Sequence, residues 1–503
     1  MLLKASKFFL YVSVFSILIV LTTTFFPFIG GKYYFYRTAT ELALLCFVLW
    51  WGFQAKAGEA KALFSKISDQ PLFLAVSAFV AAFMLATLFA NDMHAAFWSN
   101  FERGDGGFQM IHYYIFFVLA VMLFASDADW KRLFRVAIIA ATCMILYGVI
   151  GYYQQYDRAK YAGQKDYVTP FCYLKTVAYD QGRPRLQETC PINFITPYQG
   201  ESPRGFWKTL TVARFQGSLG NPAYVAPYLF FAMFYALSLW AHPSKRTWLG
   251  TLWIRHVFYG AIVTLFLFFF ALSQTRGAFI GLSAALFAFF AYLLFSWPHG
   301  RRKIFLALAF VVLLFGTLFY YRDTKFVKEL PGGRFFSVSL SDQTIRTRAW
   351  TWNSAWQGFK ERPILGWGPE NFSAVFDKYF DPRHYIPGTD SETWFDRAHN
   401  VVFDYLAETG IIGFLSYVGI FAVFFYEFAR KMASRRRGEP HGQTVPANRF
   451  EHALLIALPV GYLVQGLALF DVLPIYLNLF LFLAFATYLF SRTQPAARNA
   501  VII

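Results

Sequence analysis

Charge is scarce in this chain. Lys and Arg number 46 and Asp and Glu 29, so charged residues fill 15% of 503 positions, against about 25% in an ordinary soluble domain. That shortage excludes a disordered protein and an ordinary cytosolic enzyme. Cysteine is scarcer still: there are four, and no two lie two to four residues apart. Neither a disulfide scaffold nor a zinc cluster is encoded. Apolar residues fill the space. Hydrophobic types make 57% of the chain and aromatics 21%, with 62 Phe and 14 Trp. Apolar runs of about 18 residues recur along nearly the whole length, the pattern of membrane-crossing helices.

The runs predict twelve spans, near 8–26, 33–53, 71–90, 109–125, 133–151, 222–241, 256–273, 277–297, 304–320, 411–429, 452–470 and 474–490. The fold class is therefore an all-α polytopic membrane protein. Spans one to five fall in 1–151, a first large loop in 152–221, spans six to nine in 222–320, a second large loop in 321–410, and the last three spans with a tail in 411–503. The first span follows Lys4 and Lys7 as a signal peptide would, but no small-x-small cleavage site comes after it. It reads as an uncleaved anchor.

An even number of spans puts both termini on one side. If that side is the cytoplasm, the inner loops and tails hold 22 Lys and Arg, including Arg301, Arg302, Lys303 and the run Arg435, Arg436, Arg437. The short outer loops then hold four: Lys32, Arg37, Arg103 and Arg276. Basic residues gather in short cytoplasmic loops, whereas long loops translocate largely regardless of charge. Both termini are thus expected inside and both large loops outside. The same rule absorbs the net charge of +17, with no nucleic-acid partner. Outside the cytoplasm there is no ATP and no nucleotide sugar, so chemistry in those loops needs an activated donor that arrives through the bilayer.

In the first large loop Cys172 and Cys190 face an oxidising compartment, where a disulfide can persist. Closing it contributes about 3 kcal/mol; two unpaired thiols are the alternative. Cys46 and Cys143 fall inside spans and read as packing residues. In the second loop Ile345–Lys360 reads as an amphipathic helix with Trp350, Trp352 and Trp356. Two readings stand: a helix in the headgroup layer, or rings that pack the loop on the bundle. Asn400 is placed to cap a helix from Val401, and Gly410 to end it. His399 then sits at a helix N-terminus, where the dipole disfavours a protonated imidazole. A neutral histidine is a base. His94 and His384, the other histidines clearly outside, lack that setting. Glu41 lies within the second span, four residues after Arg37, so an Arg37–Glu41 ion pair is expected. Over 321–400 ten acids face eleven bases; this reads as a solvated surface, and no metal ligands are assigned.

Four strings carry a family likeness: ARFQGSLGNPAYVAPYL, SQTRGAFIGL, RTRAW with ERPILGWGPENF, and HNVVFDYLAETGIIGF. In this order on a twelve-span frame they resemble the bacterial O-antigen ligase family, over roughly 210–430. Its superfamily includes O-antigen polymerases and protein O-oligosaccharyltransferases. The resemblance implies GT-C-like architecture in the bacterial inner membrane and a metal-independent, inverting glycosyltransferase without a cofactor. The implied donor is a glycan on undecaprenyl diphosphate at the outer face. The implied acceptor is a hydroxyl, on lipid A core by the nearest likeness, otherwise on a growing glycan or a protein.

By the same resemblance Arg214, Arg276 and, by a looser match, Arg348 bind the diphosphate, and His399 is the base. Arg346 is the alternative to Arg348, and Arg103 is a further candidate by its outward position. Guanidinium suits the task because it binds phosphate through a planar fork. The plain alternative for Arg214 and Arg276 is an interfacial arginine that snorkels to lipid headgroups. The first loop is long and matches no motif, so the three acceptors stay open. A transporter of lipid-linked sugar is the reading from another class. It would call for two similar halves and polar residues at mid-membrane, and neither is evident.

Overall fold

The computed structural model describes residues 1–160 except 23, 25, 57 and 101–103, then 173–180, 183–189, 214–242, 252–336 except 331, 343–385, 393–437 and 448–491. The first group of helices is α1 (Leu2–Ser13), α2 (Gly30–Phe53), α3 (Glu59–Ser68), α4 (Pro71–Leu88), α5 (Met93–Trp98), α6 (Gly107–Leu123) and α7 (Asp127–Lys160). An antiparallel hairpin follows, β1 (Tyr173–Asp180) and β2 (Arg183–Thr189), with Tyr173 opposite Thr189. Next come α8 (Pro222–Ala241), α9 (Leu252–Leu272), α10 (Arg276–Ser296) and α11 (Arg301–Tyr320). The second large loop holds α12 (Lys325–Glu329), α13 (Gln343–Glu361) and α14 (Phe372–Lys378); α15 (Val401–Arg436), α16 (Arg449–Gly466) and α17 (Leu473–Ser491) complete the frame.

The frame is that of an all-α polytopic membrane protein, with the hairpin as its one described departure. Helices occupy all twelve stretches expected to span. Among the described residues eight helices are long and apolar enough to cross a membrane: α4, α7, α8, α9, α10, α11, α15 and α17. The first stretch differs most from expectation. α1 begins at Leu2, and a 3-10 turn carries it only to Leu18. Beyond it Thr24 turns back on the Leu21 carbonyl, and Pro27 disfavours helix in the residue before it.

Chain direction alternates, so the bundle has two distinct ends. Lys7 of α1 pairs with Asp129 at 3.1 Å, and Tyr488 of α17 donates to Asp127 at 2.9 Å. The starts of α1 and α7 and the end of α17 therefore share one end, called here the terminal end. The other, the loop end, gathers the starts of α2, α8, α10 and α17 and the ends of α9 and α16; there Ser218 donates to the Ile17 carbonyl at 2.7 Å. α17 is the central stave, with 94% of its span buried. α10 and α16 approach most closely at glycine: a Cβ on Gly281 would lie 2.7 Å from the Gly461 carbonyl. α11, with 6% of its span buried, faces outward.

The expected Arg37–Glu41 pair is not formed. Arg37 donates from Nε to Gln109 at 2.7 Å and from Nη2 to the Gly104 carbonyl at 2.9 Å, while Glu41 meets His112 Nε2 at 2.9 Å. Both groups of α2 reach sideways to α6 and its approach instead of along their own helix. Exposed i,i+4 pairs are worth only a few tenths of a kcal/mol, so partners on a packed neighbour win.

The second loop is locked into the bundle by a break in α15. Gly410 has φ 63 and interrupts the helix. The carbonyls of Ala407 and Glu408 accept from Trp367 N at 2.9 Å and Gly368 N at 2.8 Å, and Ile411 N donates to the Pro363 carbonyl at 2.8 Å. Backbone from ERPILGWG thus satisfies the groups the break leaves over. Gly366, at φ 70, is part of the lock, because a Cβ there would lie 2.5 Å from the Glu408 backbone. Gly366→Ala is expected to cost about 1–3 kcal/mol from backbone strain alone, read as a lower Tm of the purified chain. An unchanged Tm would show that the two segments separate freely.

Candidate active site

The site builds up at the loop end. Between α9 and α10 the chain turns through Ser273, Gln274 and Thr275, with Gln274 at φ 52. Arg214 reaches this turn from the approach to α8. Its Nε donates to the Ser273 carbonyl at 3.2 Å and its Nη2 to Thr275 Oγ1 at 3.4 Å. Backbone contacts hold it there: Phe215 N donates to the Leu272 carbonyl at 3.0 Å, and Tyr152 donates to the Arg214 carbonyl at 2.8 Å. Arg276 is the first residue of α10, directly after Thr275. The two arginines therefore flank a single turn.

The connection between α16 and α17 lies against that turn. A Cβ on Gly277 would stand 2.6 Å from Ala468 Cβ, so glycine lets the start of α10 press on this connection. Arg348, on α13, donates from Nη1 to the Ala468 carbonyl at 3.1 Å. Arg346, two residues away, is exposed. Two residues on, Phe470 meets the His399 ring edge to face at 5.0 Å between centroids. The structure thus sets Arg348 and His399 against one short connection, and Arg214 and Arg276 at the turn that packs beside it. Arg103, Cys172 and Cys190 lie outside the described residues; the two cysteines are the sequence neighbours of Tyr173 and Thr189.

His399 is held in an unusual backbone conformation, φ 54, which a non-glycine residue adopts at a cost. Its Nδ1 lies 3.0 Å from the Arg397 carbonyl. A carbonyl only accepts, so Nδ1 carries the hydrogen, and in the neutral ring the lone pair is on Nε2. Asn400 caps α15, its Oδ1 accepting from Val402 N at 2.9 Å. On the other side Trp352 donates to the Ala398 carbonyl at 3.0 Å and stacks on Phe403. Of the two readings of the tryptophan helix, packing describes Trp352, and Trp350 lies edge to face with His384. Trp356 is 43% exposed. His384 is enclosed by Phe376, Phe380 and Phe395, and burial lowers its pKa.

Beneath His399 is a buried ionic network that sequence reading missed. Arg397 contacts Glu370 at 2.9 Å, Asp404 at 2.8 Å and Glu408 at 3.7 Å, all with side chains 7% exposed or less. Asp404 also accepts from Ala398 N at 2.7 Å. The segment 397–399 is therefore clamped on both sides of Ala398. Glu370 comes from GWGPENF, next to Asn371, whose amide pairs with the backbone of Asp92 at 2.8 and 3.1 Å. Two of the four family-like strings meet in this network. Among the described residues no group of three His, Cys, Asp or Glu is arranged to hold a metal.

Two further acids border the site. Asp105 accepts from Tyr113 at 3.1 Å, and burial, with Glu370 nearby, pushes its pKa up to about 7. Burial likewise raises Asp471 to about 7, although Tyr462 donates to it. An acid with its pKa raised on folding holds its proton longer folded than unfolded, so stability falls as pH climbs between the two values. For Asp105 that window runs from 3.8 to about 7. The Asp105→Asn variant is expected to gain on wild type across this window. Tm measured at pH 5 and pH 8 checks it; parallel curves would contradict it.

Residues 260–418 match the O-antigen ligase family. The O-antigen ligase match begins within α9 and ends eight residues past Gly410. It contains Arg276, Arg348, Glu370, Arg397 and His399; Arg214 and the α16–α17 connection lie outside it. A search of curated proteins finds no match. What the O-antigen ligase likeness carries is the class, a membrane enzyme of the ligase and polymerase type that handles lipid-linked glycans and acceptors.

Proposed function

We propose that this protein transfers a glycan from undecaprenyl diphosphate to an acceptor hydroxyl at the outer face of the bacterial inner membrane, as an O-antigen ligase acting on lipid A core. One observation carries the reading: Arg214 and Arg276 flank the α9–α10 turn, which packs against the α16–α17 connection that Arg348 and the His399 ring also meet. In this reading the loop end faces outward and both termini face the cytoplasm. Arg214, Arg276 and Arg348 neutralise the diphosphate and stabilise the charge that grows on the leaving oxygen, often the greatest single contribution to such catalysis. His399 Nε2 takes the acceptor proton as the hydroxyl oxygen bonds to the anomeric carbon. The bond from that carbon to the diphosphate breaks on the opposite face, which inverts configuration and releases undecaprenyl diphosphate. The family likeness favours lipid A core over a growing glycan or a protein.

The test uses purified full-length protein, undecaprenyl-diphosphate glycan and lipid A core, in EDTA. Product formation is expected, and absence of product with all three acceptors would refute the proposal. Arg214→Ala and Arg276→Ala should each lower turnover by about 10²-fold or more. Lysine at either position should restore only part, because a point charge lacks the fork. Full activity with lysine would remove the bidentate argument.

A further inference from the structure

The terminal end holds a second site with different chemistry. A cavity of about 200 Å³ opens between the start of α7, the end of α8, the start of α16 and the end of α17. Its apolar wall includes Trp130, Phe234 and Phe485. Its polar rim is Asp127, Lys131, His242, Asn448 and Glu451. Both acids are fixed by neighbours: Asp127 accepts from Tyr488 at 2.9 Å, and Glu451 meets His242 Nδ1 at 3.2 Å. Lys131 stands within electrostatic reach of both. Among the described residues its ammonium makes no hydrogen bond.

We propose that this cavity binds the headgroup of a phospholipid that carries a phosphate and a primary ammonium together. The position fits, because every wall is a helix end and membrane helices end at headgroup depth. The charge pattern selects within lipids. Lys131 provides one cation for a phosphate, and Asp127 and Glu451 provide acceptors for an N–H-bearing cation. A purely anionic headgroup would face two carboxylates, and a choline group has no N–H to donate. The size suits a small headgroup: about 200 Å³ lies below the usual 300–1,000 Å³ of drug-sized pockets. The aromatic wall takes the first methylenes of the acyl chains. The site is remote from Arg214, Arg276, Arg348 and His399 and does not depend on the reading of that end.

Native mass spectrometry of the full chain in vesicles of equal phosphatidylethanolamine, phosphatidylglycerol and phosphatidylcholine tests this. Retention of one phosphatidylethanolamine per chain is expected. Lys131→Ala and Glu451→Gln should each weaken it about tenfold, the loss of one charge-assisted hydrogen bond. Soluble glycerophosphoethanolamine should compete only weakly, since it lacks the chains; competition equal to the lipid would assign the site to a free headgroup and overturn the lipid proposal. Equal retention of the three lipids, or selectivity unchanged in both variants, would also overturn it.

Discussion

His399→Asn is expected to lower glycan transfer about 10²–10⁴-fold, the usual contribution of a positioned base, while the protein stays folded. Asparagine is the informative replacement. It tolerates left-handed backbone better than most residues, so it meets the φ of 54 at this position with less strain than alanine. It removes the basic nitrogen together with the ring contacts to Phe395 and Phe470, and leaves the backbone conformation attainable. The loss should appear in turnover with little change in donor retention, since in the proposed mechanism the diphosphate contacts belong to the arginines. His399→Ala should lose as much transfer and also lower Tm. If His399→Asn turns over at a near-normal rate, the acceptor proton goes elsewhere and the mechanism fails at its central atom.

Arg397→Ala is expected to be the most damaging substitution for stability. It strands Glu370, Asp404 and Glu408, each with a side chain 5% exposed or less. Removing one partner from a buried ion pair costs about 3–5 kcal/mol, because a charge is left without compensation. Arg397→Lys should recover only part of this, since one ammonium cannot reach three carboxylates in the directions a guanidinium does. Adding Glu370→Gln to Arg397→Ala should restore some stability by removing one stranded charge. Transfer should stay low in that double variant, because the backbone that carries His399 has lost its clamp. A Tm for Arg397→Ala equal to wild type would mean that the network is solvated and not structural.

The frame could be read from hydropathy because each span is a property of its own sequence. The cap at Asn400 and the break at Gly410 could be read for the same reason: both are local chemistry. Arg397 could not. Ten acids and eleven bases in one loop have the composition of a solvated surface, and nothing in composition distinguishes Arg397 from exposed Arg383. What separates them is burial, set by Glu370 twenty-seven positions away in sequence and by the docking of 363–368 on α15. The one local clue was the spacing of Arg397, Asp404 and Glu408 around a helix start, which sets the cation over the first turns of α15. The Arg37–Glu41 expectation failed for the converse reason. The i,i+4 preference belongs to a lone helix, and here a neighbouring helix and its approach offer both groups better partners.

The interlock between 363–368 and 407–412 bears on how this enzyme could be re-engineered. A graft that replaces the large loop with that of a relative has a natural-looking seam at Gly410, where loop gives way to span. That seam would cut through shared backbone pairing and leave each half with the wrong counterpart. A workable exchange has to carry the incoming loop through Ile412, whose N–H reaches Ile364, so that both sides of the kink come from one parent.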